Sequence, residues 1–233
     1  MHKTLTITYH GHSAFQIDWQ EWSILIDPFI TGNPLATVAA ESLQPSHIIV
    51  THGHGDHLGD TLEIAKRTGA QVITTYEVAN YLKGKGADDV ADLGVGGGRD
   101  FPFGRVTFTI AHHGSSAPDG TYLGAAAGVV VGIGEMEVYH AGDTALTYDM
   151  KLLAELHDIR LAMLPIGDNY TMGIRQAIKA VEFIAPDIVV PMHYNTFEPI
   201  TVDPEEFRAG VEPLGVKVII PAPGESFQVT ARS

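Results

Sequence analysis

The chain has 233 residues, and 45% of them are hydrophobic, which is enough apolar material for one large domain over residues 1–233. The 28 acidic and 14 basic residues give a formal charge of −14, which disfavours nucleic-acid binding because phosphate backbones are repelled. The chain contains no cysteine, so disulfides and cysteine ligands are excluded and a metal site must use His and carboxylate. Since no signal-peptide core or membrane-length apolar run is present, we expect a cytoplasmic protein without a membrane partner.

The first third of the chain is predicted to be rich in strands. Alternating and apolar segments predict strands at 4–9, 13–18, 22–27, 47–52 and 71–75. A helix is expected to begin at Asp56 or His57 and to end at Gly69, because apolar residues follow with helical spacing. A second, short helix is expected over 77–83.

The middle of the chain returns to β-structure, and the last third alternates strands with helices. Strands are predicted at 105–113, 127–133, 136–143, 159–166, 187–193, 217–222 and 226–230. The GGG run at 96–98 is expected to form a flexible turn, since no helix or lysine follows it as in a phosphate-binding loop. Helices are expected over 174–184 and after the N-cap Asp203. The core-facing residues of the second of these helices are expected to be Phe207, Val211 and Leu214. This order fits two sheets with helices outside them.

The segment THGHGDHLGD at 51–60 concentrates candidate metal ligands at a strand-to-helix turn. His52 and His54 project to the same side of an extended chain, so both can reach one metal ion. Asp56 and His57 follow where the chain turns and can reach a second ion. The alternative is a capped helix start, with Asp56 as the N-cap and the histidines as polar loop residues.

Further candidate ligands follow other apolar strands, where sites on rigid scaffolds are usually built. These residues are His112, His113, Asp143 and His193. Strand alternation does not choose between the two adjacent histidines, because the parity argument is ambiguous at the end of a strand.

The order of these motifs resembles the five-motif signature of the metallo-β-lactamase superfamily: HGHGDH (52–57), a later His, GD (142–143) and a final His (193). The segments GHSAF (11–15), ILIDPFITGNP (24–34), LPIGDNYTMG (164–173) and HYNTF (193–197) resemble a subgroup of uncharacterised metal-dependent hydrolases, which is similar to the ascorbate-6-phosphate lactonases. The resemblance implies an α+β fold, a four-layer αββα sandwich with the site at one edge of the two sheets.

The resemblance also implies two ligand sets. The first metal ion would be bound by His52, His54 and a histidine of the 112–113 pair, and the second by Asp56, His57 and His193, with Asp143 as the bridge. Within the pair the resemblance favours His113, because small polar residues follow it. Two divalent ions are expected, with Zn²⁺ as the first choice and Mn²⁺ or Fe as alternatives.

Six other polar residues are candidates for supporting the ligands or contacting substrate: Asp27, His12, Asn169, Thr171, Tyr194 and Asn195. The residue that matches Asp27 in the superfamily braces the metal-binding loop; the alternative for Asp27 is a turn cap. His12 lies either in a surface turn or against the site, and Thr171 is alternatively a helix cap. His10 and His140 are expected to be structural.

The hypothesis is hydrolysis by a dinuclear centre, in which a metal-bound hydroxide attacks a small polar lactone, ester or phosphorylated metabolite. The catalytic carboxylates would be Asp56, which orients the nucleophile and moves a proton, and the bridging Asp143. The partner is therefore a small-molecule substrate, and a homo-oligomer is compatible with a chain of this kind.

Several alternative functions are weighed against this hypothesis. A phosphodiesterase or nuclease of the same superfamily is disfavoured by the acidic chain and by the lack of a basic arm. β-Lactam hydrolysis is disfavoured by the missing signal peptide. A redox di-iron role is disfavoured because similar proteins carry Glu at the position of His54 together with a flavin domain. A non-catalytic metal-binding protein is the remaining alternative.

Overall fold

Fourteen β-strands of the described chain, residues 4–232, form two seven-stranded mixed sheets in the computed structural model. The strands of the first sheet are β1 (Thr4–Gly11), β2 (Ala14–Trp19), β3 (Trp22–Ile26), β4 (His47–Val50), β5 (Gln71–Thr75), β6 (Val90–Leu93) and β14 (Ser226–Thr230). Their order is β14-β1-β2-β3-β4-β5-β6, antiparallel from β14 to β3 and parallel from β3 to β6.

The second sheet has the order β13-β12-β11-β10-β9-β8-β7. Its strands are β7 (Gly98–Phe101), β8 (Gly104–Ile110), β9 (Ala127–Ile133), β10 (Met136–His140), β11 (Ile159–Pro165), β12 (Ile188–Met192) and β13 (Lys217–Val218). The strands β10 to β13 run parallel, and β7 to β10 are antiparallel.

Six α-helices accompany the sheets within the described residues. They are α1 (Gly55–Leu58), α2 (Thr61–Thr68), α3 (Tyr76–Gly84), α4 (Met150–Leu156), α5 (Ile174–Ile184) and α6 (Pro204–Val211). Short 3₁₀ turns occupy Ala40–Ser42, Glu198–Ile200 and Glu212–Leu214. None of the helices within residues 4–232 has the length and apolar character needed to cross a bilayer.

Alternation along the strands divides the apolar residues between two layers. In β4, Ile49 belongs to the large core that includes both sheets, whereas Ile48 and Val50 belong to a smaller core with α2 and α3. Successive side chains of a strand point to opposite faces, so a strand covered on both faces is apolar throughout. The helices α5 and α6 contribute Ala177 and Phe207 to the large core. The four-layer αββα sandwich expected from the sequence is confirmed.

The structure corrects several element predictions. The single helix predicted to end at Gly69 is two helices, because the chain breaks at Gly59 (φ +42°), where an added Cβ would lie 2.3 Å from the carbonyl oxygen of Pro28. The helix α4 and the strand β6 were not predicted, and β7 begins in the glycine run expected to be a turn. Leu214 is 42% exposed, so its predicted core position is wrong: α6 ends at Val211, and the chain then leaves the packed face.

Candidate metal centre

The site lies where loops from both sheets meet at the carboxyl ends of their strands. The strands β4, β8, β10 and β12 end immediately before loops that carry histidines or aspartates. Two backbone hydrogen bonds join the sheets there: Ala127 N donates to Thr51 O at 3.2 Å, and His193 N donates to His12 O at 2.8 Å. The predicted ligands are therefore brought together by four strand ends that are far apart in sequence.

The first group contains His52, His54, His113 and Asp143, one donor atom of each lying within 4.8 Å of the others. His54 Nδ1 lies 3.1 Å from His52 Nε2 and 3.2 Å from His113 Nε2. Asp143 Oδ2 lies 3.4 Å from His113 Nε2 and 3.9 Å from His52 Nε2. His112 points away: its side chain is 61% exposed and faces Asp149 at 3.8 Å. Of the two adjacent histidines, the structure thus brings His113, the one favoured by the resemblance, into the first group.

The second group contains His12, Asp56, His57 and His193. Asp56 Oδ2 lies 3.1 Å from His12 Nε2 and 3.8 Å from His193 Nε2. Asp143 connects this group to the first, with Oδ1 3.1 Å from His57 Nε2 and Oδ2 3.1 Å from His193 Nε2. Asp143 is thus the carboxylate between the two groups.

The capped helix start proposed as the alternative role of this segment does not describe it. His54, not Asp56, is the N-cap residue of α1, and its side chain makes no capping hydrogen bond. His12, which the sequence left between a surface turn and the site, is completely buried against the second group. His54 and His12 therefore direct their ring nitrogens into the cluster rather than to solvent or to the amides of a helix.

Two observations indicate that the residues of these groups fit divalent cations. Ligand atoms around a tetrahedral ion with bonds of about 2.0–2.1 Å lie about 3.3 Å apart. The carboxylate oxygens of Asp143 lie 3.1–3.9 Å from the Nε2 atoms of the four histidines around them, which is close to this spacing. Buried atoms without a hydrogen-bond partner concentrate here, namely His57 Nε2, Asp143 Oδ1 and both ring nitrogens of His193. Buried polar atoms without a partner are costly, and a cation would satisfy them.

Burial favours the neutral imidazole of two histidines in the first group and of His12 in the second. Desolvation lowers the pKa of His52 and of His113, and it lowers the pKa of His12 in the second group to about 4. An imidazole must be neutral to offer a lone pair to a metal ion. His52 and His113 are therefore suited to ligation near neutral pH, whereas the neutral His12 donates its Nε2 hydrogen to Asp56.

The carboxylates are held in their charged form by the histidines. Burial acts to raise the pKa of Asp143, but the neighbouring His193 and His57 outweigh it and hold that pKa well below its usual range. For Asp56, burial also acts to raise the pKa, and the hydrogen bond from His12 overcomes it. Both carboxylates are thus acceptors only, as ligation requires.

Asp27 makes hydrogen bonds to the loop that carries the candidate ligands. Its Oδ1 accepts a hydrogen bond from Thr51 N at 2.8 Å, and its Oδ2 contacts Thr51 Oγ1 at 2.7 Å and His57 Nδ1 at 2.8 Å. The carboxylate is completely buried, so it orients His57 rather than capping a surface turn.

The backbone is strained at three residues of this centre. Asp27, His12 and His193 all have positive φ, at +47°, +58° and +55°.

Three supporting hydroxyl groups were not singled out by the sequence. Thr196 Oγ1 lies 2.8 Å from His12 Nδ1, Thr51 Oγ1 lies 3.0 Å from His52 Nδ1, and Ser115 Oγ accepts from Gly53 N at 3.0 Å. Each is within three residues of a candidate ligand along the chain, and that proximity is the signal that would have identified them.

The other four candidates do not join the cluster within the described structure. Asn195 Oδ1 accepts from Val202 N at 2.9 Å, so it stabilises its own loop. Tyr194 packs in the large core. Thr171 does not cap α5, whose N-cap is Gly173. Asn169 has φ +49° in an exposed loop. Contact of these residues with substrate stays a prediction.

Comparison with known proteins agrees with this geometry. The family described as the Beta-lactamase superfamily domain matches residues 23–194, which include all seven predicted ligands. A UPF0173 metal-dependent hydrolase of Methanopyrus kandleri is 47% identical over 229 residues, covering 96% of this chain and 100% of the relative. Another from Symbiobacterium thermophilum is 51% identical over 227 residues, covering 96% and 99%.

A solved structure extends the match to three dimensions. Igni18, a metallo hydrolase from the hyperthermophilic archaeon Ignicoccus hospitalis, superposes with a TM-score of 0.91 at 39% identity and covers 98% of this chain and 100% of its own. Near-complete coverage of both chains means that the similarity includes both sheets and every strand end that carries a candidate ligand. The chain belongs to the beta-lactamase superfamily and, within it, to the UPF0173 metal-dependent hydrolases.

Proposed function

We propose that the chain hydrolyses a small carbonyl substrate, a lactone or an ester, at a centre of two divalent cations. The observation that carries the proposal is the position of Asp143, whose carboxylate contacts His113 in one group and both His57 and His193 in the other. A shared carboxylate holds two cations close enough to act on one water molecule and one substrate. The first cation would be held by His52, His54 and His113, the second by Asp56, His57 and His193. Zn²⁺ is the first choice for this donor set, and Mn²⁺ or Fe are alternatives.

The two carboxylates have different surroundings and therefore different proposed roles. When bound, the cations supply Lewis acidity and acidify water. Asp143 is buried between the groups and holds them together. The side chain of Asp56 is 30% exposed, so an incoming substrate reaches this carboxylate first. Since Asp56 is ionised, it orients the attacking water and accepts its proton.

The substrate is better matched to a neutral carbonyl compound than to a phosphate ester. Within residues 4–232, no lysine or arginine has a hydrogen bond or ion pair with a member of either group. Most of these cations pair elsewhere, as Lys85 does with Asp119 and Arg160 with Asp187. A phosphorylated metabolite or a nucleic acid would normally be held by such side chains. The recorded contacts of the two groups therefore give no support to the phosphorylated substrates expected from the subgroup resemblance.

The experiment that tests this function compares His54→Ala with His112→Ala. The second variant removes an adjacent histidine that lies outside both groups, so it is a matched control. We expect metal-loaded wild type and His112→Ala to release protons from lactones, and His54→Ala to lose metal and at least about 100-fold in turnover. Metal content would be measured by elemental analysis. Full turnover in His54→Ala would exclude the proposed centre, and metal binding without turnover of lactones or esters would favour a non-catalytic role.

A further inference from the structure

Two phenylalanine rings lie against His12, the histidine that contacts the more exposed carboxylate of the candidate metal centre. Phe29 follows β3 and Phe197 follows β12, so each sheet contributes one ring. Their centroids lie 5.7 Å and 5.6 Å from the ring of His12, both edge-on, and 6.3 Å from each other. His12 Nε2 in turn lies 3.1 Å from Asp56 Oδ2. The ring pair therefore contacts the second group through His12, one residue away from the partly exposed Asp56.

Both rings remain accessible although they are among the most hydrophobic side chains. Phe197 is 39% exposed, and Phe29 is partly buried. An exposed apolar surface rimmed by polar residues commonly marks a site of contact with another molecule.

The backbone holds the two rings in place before any substrate binds. Phe29 N donates to Asp27 O at 2.7 Å, and the next residues, Ile30 and Thr31, donate their amides to Asp60 Oδ2 at 3.0 and 2.8 Å. Phe197 O accepts from Ile200 N at 3.1 Å. Surfaces that are already ordered lose little entropy on binding, so they contribute efficiently to affinity.

We propose that Phe29 and Phe197 form a wall that selects substrates with an apolar alkyl or aryl group next to the ester linkage that is cleaved. This inference rests on the proposed hydrolase function and names the substrate class for it. The apolar group packs against the ring pair while the carbonyl faces the centre. Hydrolysis then joins the oxygen of water to the acyl carbon, the acyl C–O bond breaks, and the leaving oxygen takes a proton, giving a hydroxy acid from a lactone.

A lactone series with a constant ring and a growing tail tests the wall. Proton release would be measured for γ-butyrolactone and γ-nonalactone with metal-loaded wild type, Phe197→Ala and Leu156→Ala. Leu156 is 75% exposed on α4 and is the control for losing an exposed apolar side chain. We expect wild type to prefer the long lactone in kcat/KM by about tenfold or more. Phe197→Ala should lose most of that preference, with a much larger loss on γ-nonalactone than on γ-butyrolactone, and Leu156→Ala should match wild type.

Three results would overturn the wall: no preference for the tail, an equal loss on both lactones in Phe197→Ala, or faster turnover of a sugar-phosphate lactone. Absence of turnover in metal-loaded protein would instead contradict lactone hydrolysis. In that case calorimetric titration with acetate, phenylacetate and ribose 5-phosphate measures binding alone and tests the wall independently of turnover. Phenylacetate binding at least about tenfold more tightly than acetate, with the difference lost in Phe197→Ala, supports it. Equal affinities, or tighter binding of the phosphate, reject it.

Discussion

The Nδ1 atom of His57 lies 2.8 Å from Oδ2 of Asp27, and this contact sets which ring nitrogen of His57 faces the metal centre. A carboxylate can only accept, so Nδ1 carries the hydrogen and Nε2 is directed at Asp143, 3.1 Å away. That 3.1 Å contact lacks hydrogen-bond geometry, since both atoms are without a hydrogen-bond partner. Asp27 therefore acts on the centre through His57 without being one of its proposed ligands.

Replacing Asp27 with Asn should weaken binding of the second cation by about 10- to 100-fold. The amide nitrogen of Asn can donate to Nδ1, which favours the tautomer with hydrogen on Nε2 and removes the lone pair needed for ligation. Titration of metal-free protein with Zn²⁺ measures the change. Asp18→Asn is the control, because the Asp18 carboxylate accepts hydrogen bonds from Gln16 on β2 and belongs to neither group of candidate ligands. An unchanged affinity in Asp27→Asn would show that the contact does not control His57.

The buried His140 should make the metal-free fold sensitive to acid. Its Nε2 donates to Ser13 O at 2.9 Å, and its Nδ1 accepts from Gly142 N at 3.1 Å, so the ring is neutral. Burial lowers the folded-state pKa below 6.5. The unfolded chain then binds more protons, and this contribution to stability, complete above about pH 6.5, is lost as the pH falls toward the folded-state pKa.

His140→Gln should therefore flatten the dependence of Tm on pH between about 5 and 7, measured in chelator. Its Tm at pH 7 should also fall, because the hydrogen bonds of the imidazole are lost. His157→Gln is the control, since His157 is half-buried and paired with Glu137. A wild-type slope retained in His140→Gln would assign the acid sensitivity to other groups.

Two glycines with positive φ should respond differently to substitution by Ala. An added Cβ at Gly59 would lie 2.3 Å from Pro28 O and 2.7 Å from Phe29 Cα, whereas at Gly69 it would meet nothing within 4 Å. We expect Gly69→Ala to cost about 1 kcal/mol from backbone strain alone. Gly59→Ala should cost more than about 2 kcal/mol, because the segment that carries Phe29 must move. Similar unfolding free energies in denaturant would contradict this difference.

Local patterns along the chain were sufficient to predict several features of the fold and of the candidate site. The helical spacing of apolar residues predicted 174–184, and the structure has α5 over Ile174–Ile184. Asp203 caps α6 as predicted, accepting from Glu205 N at 3.0 Å. The HGHGDH segment and the strand-end residues Asp143 and His193 identified the candidate centre. Each of these features depends on neighbours in sequence, or on a motif whose order along the chain is informative.

Other features depend on contacts between segments that are distant in sequence. His113 joins the cluster and His112 faces Asp149, a choice that strand alternation left open. The burial of His12 against His193 and Thr196, and the ring pair of Phe29 and Phe197, require both sheets to meet at one edge. The helix break at Gly59 follows from the close approach of Pro28. The sequence by itself determined which side chains are available and which local elements carry them. Tertiary packing alone decided which of these side chains converge, because strand ends far apart in the chain become neighbours only when the two sheets pack.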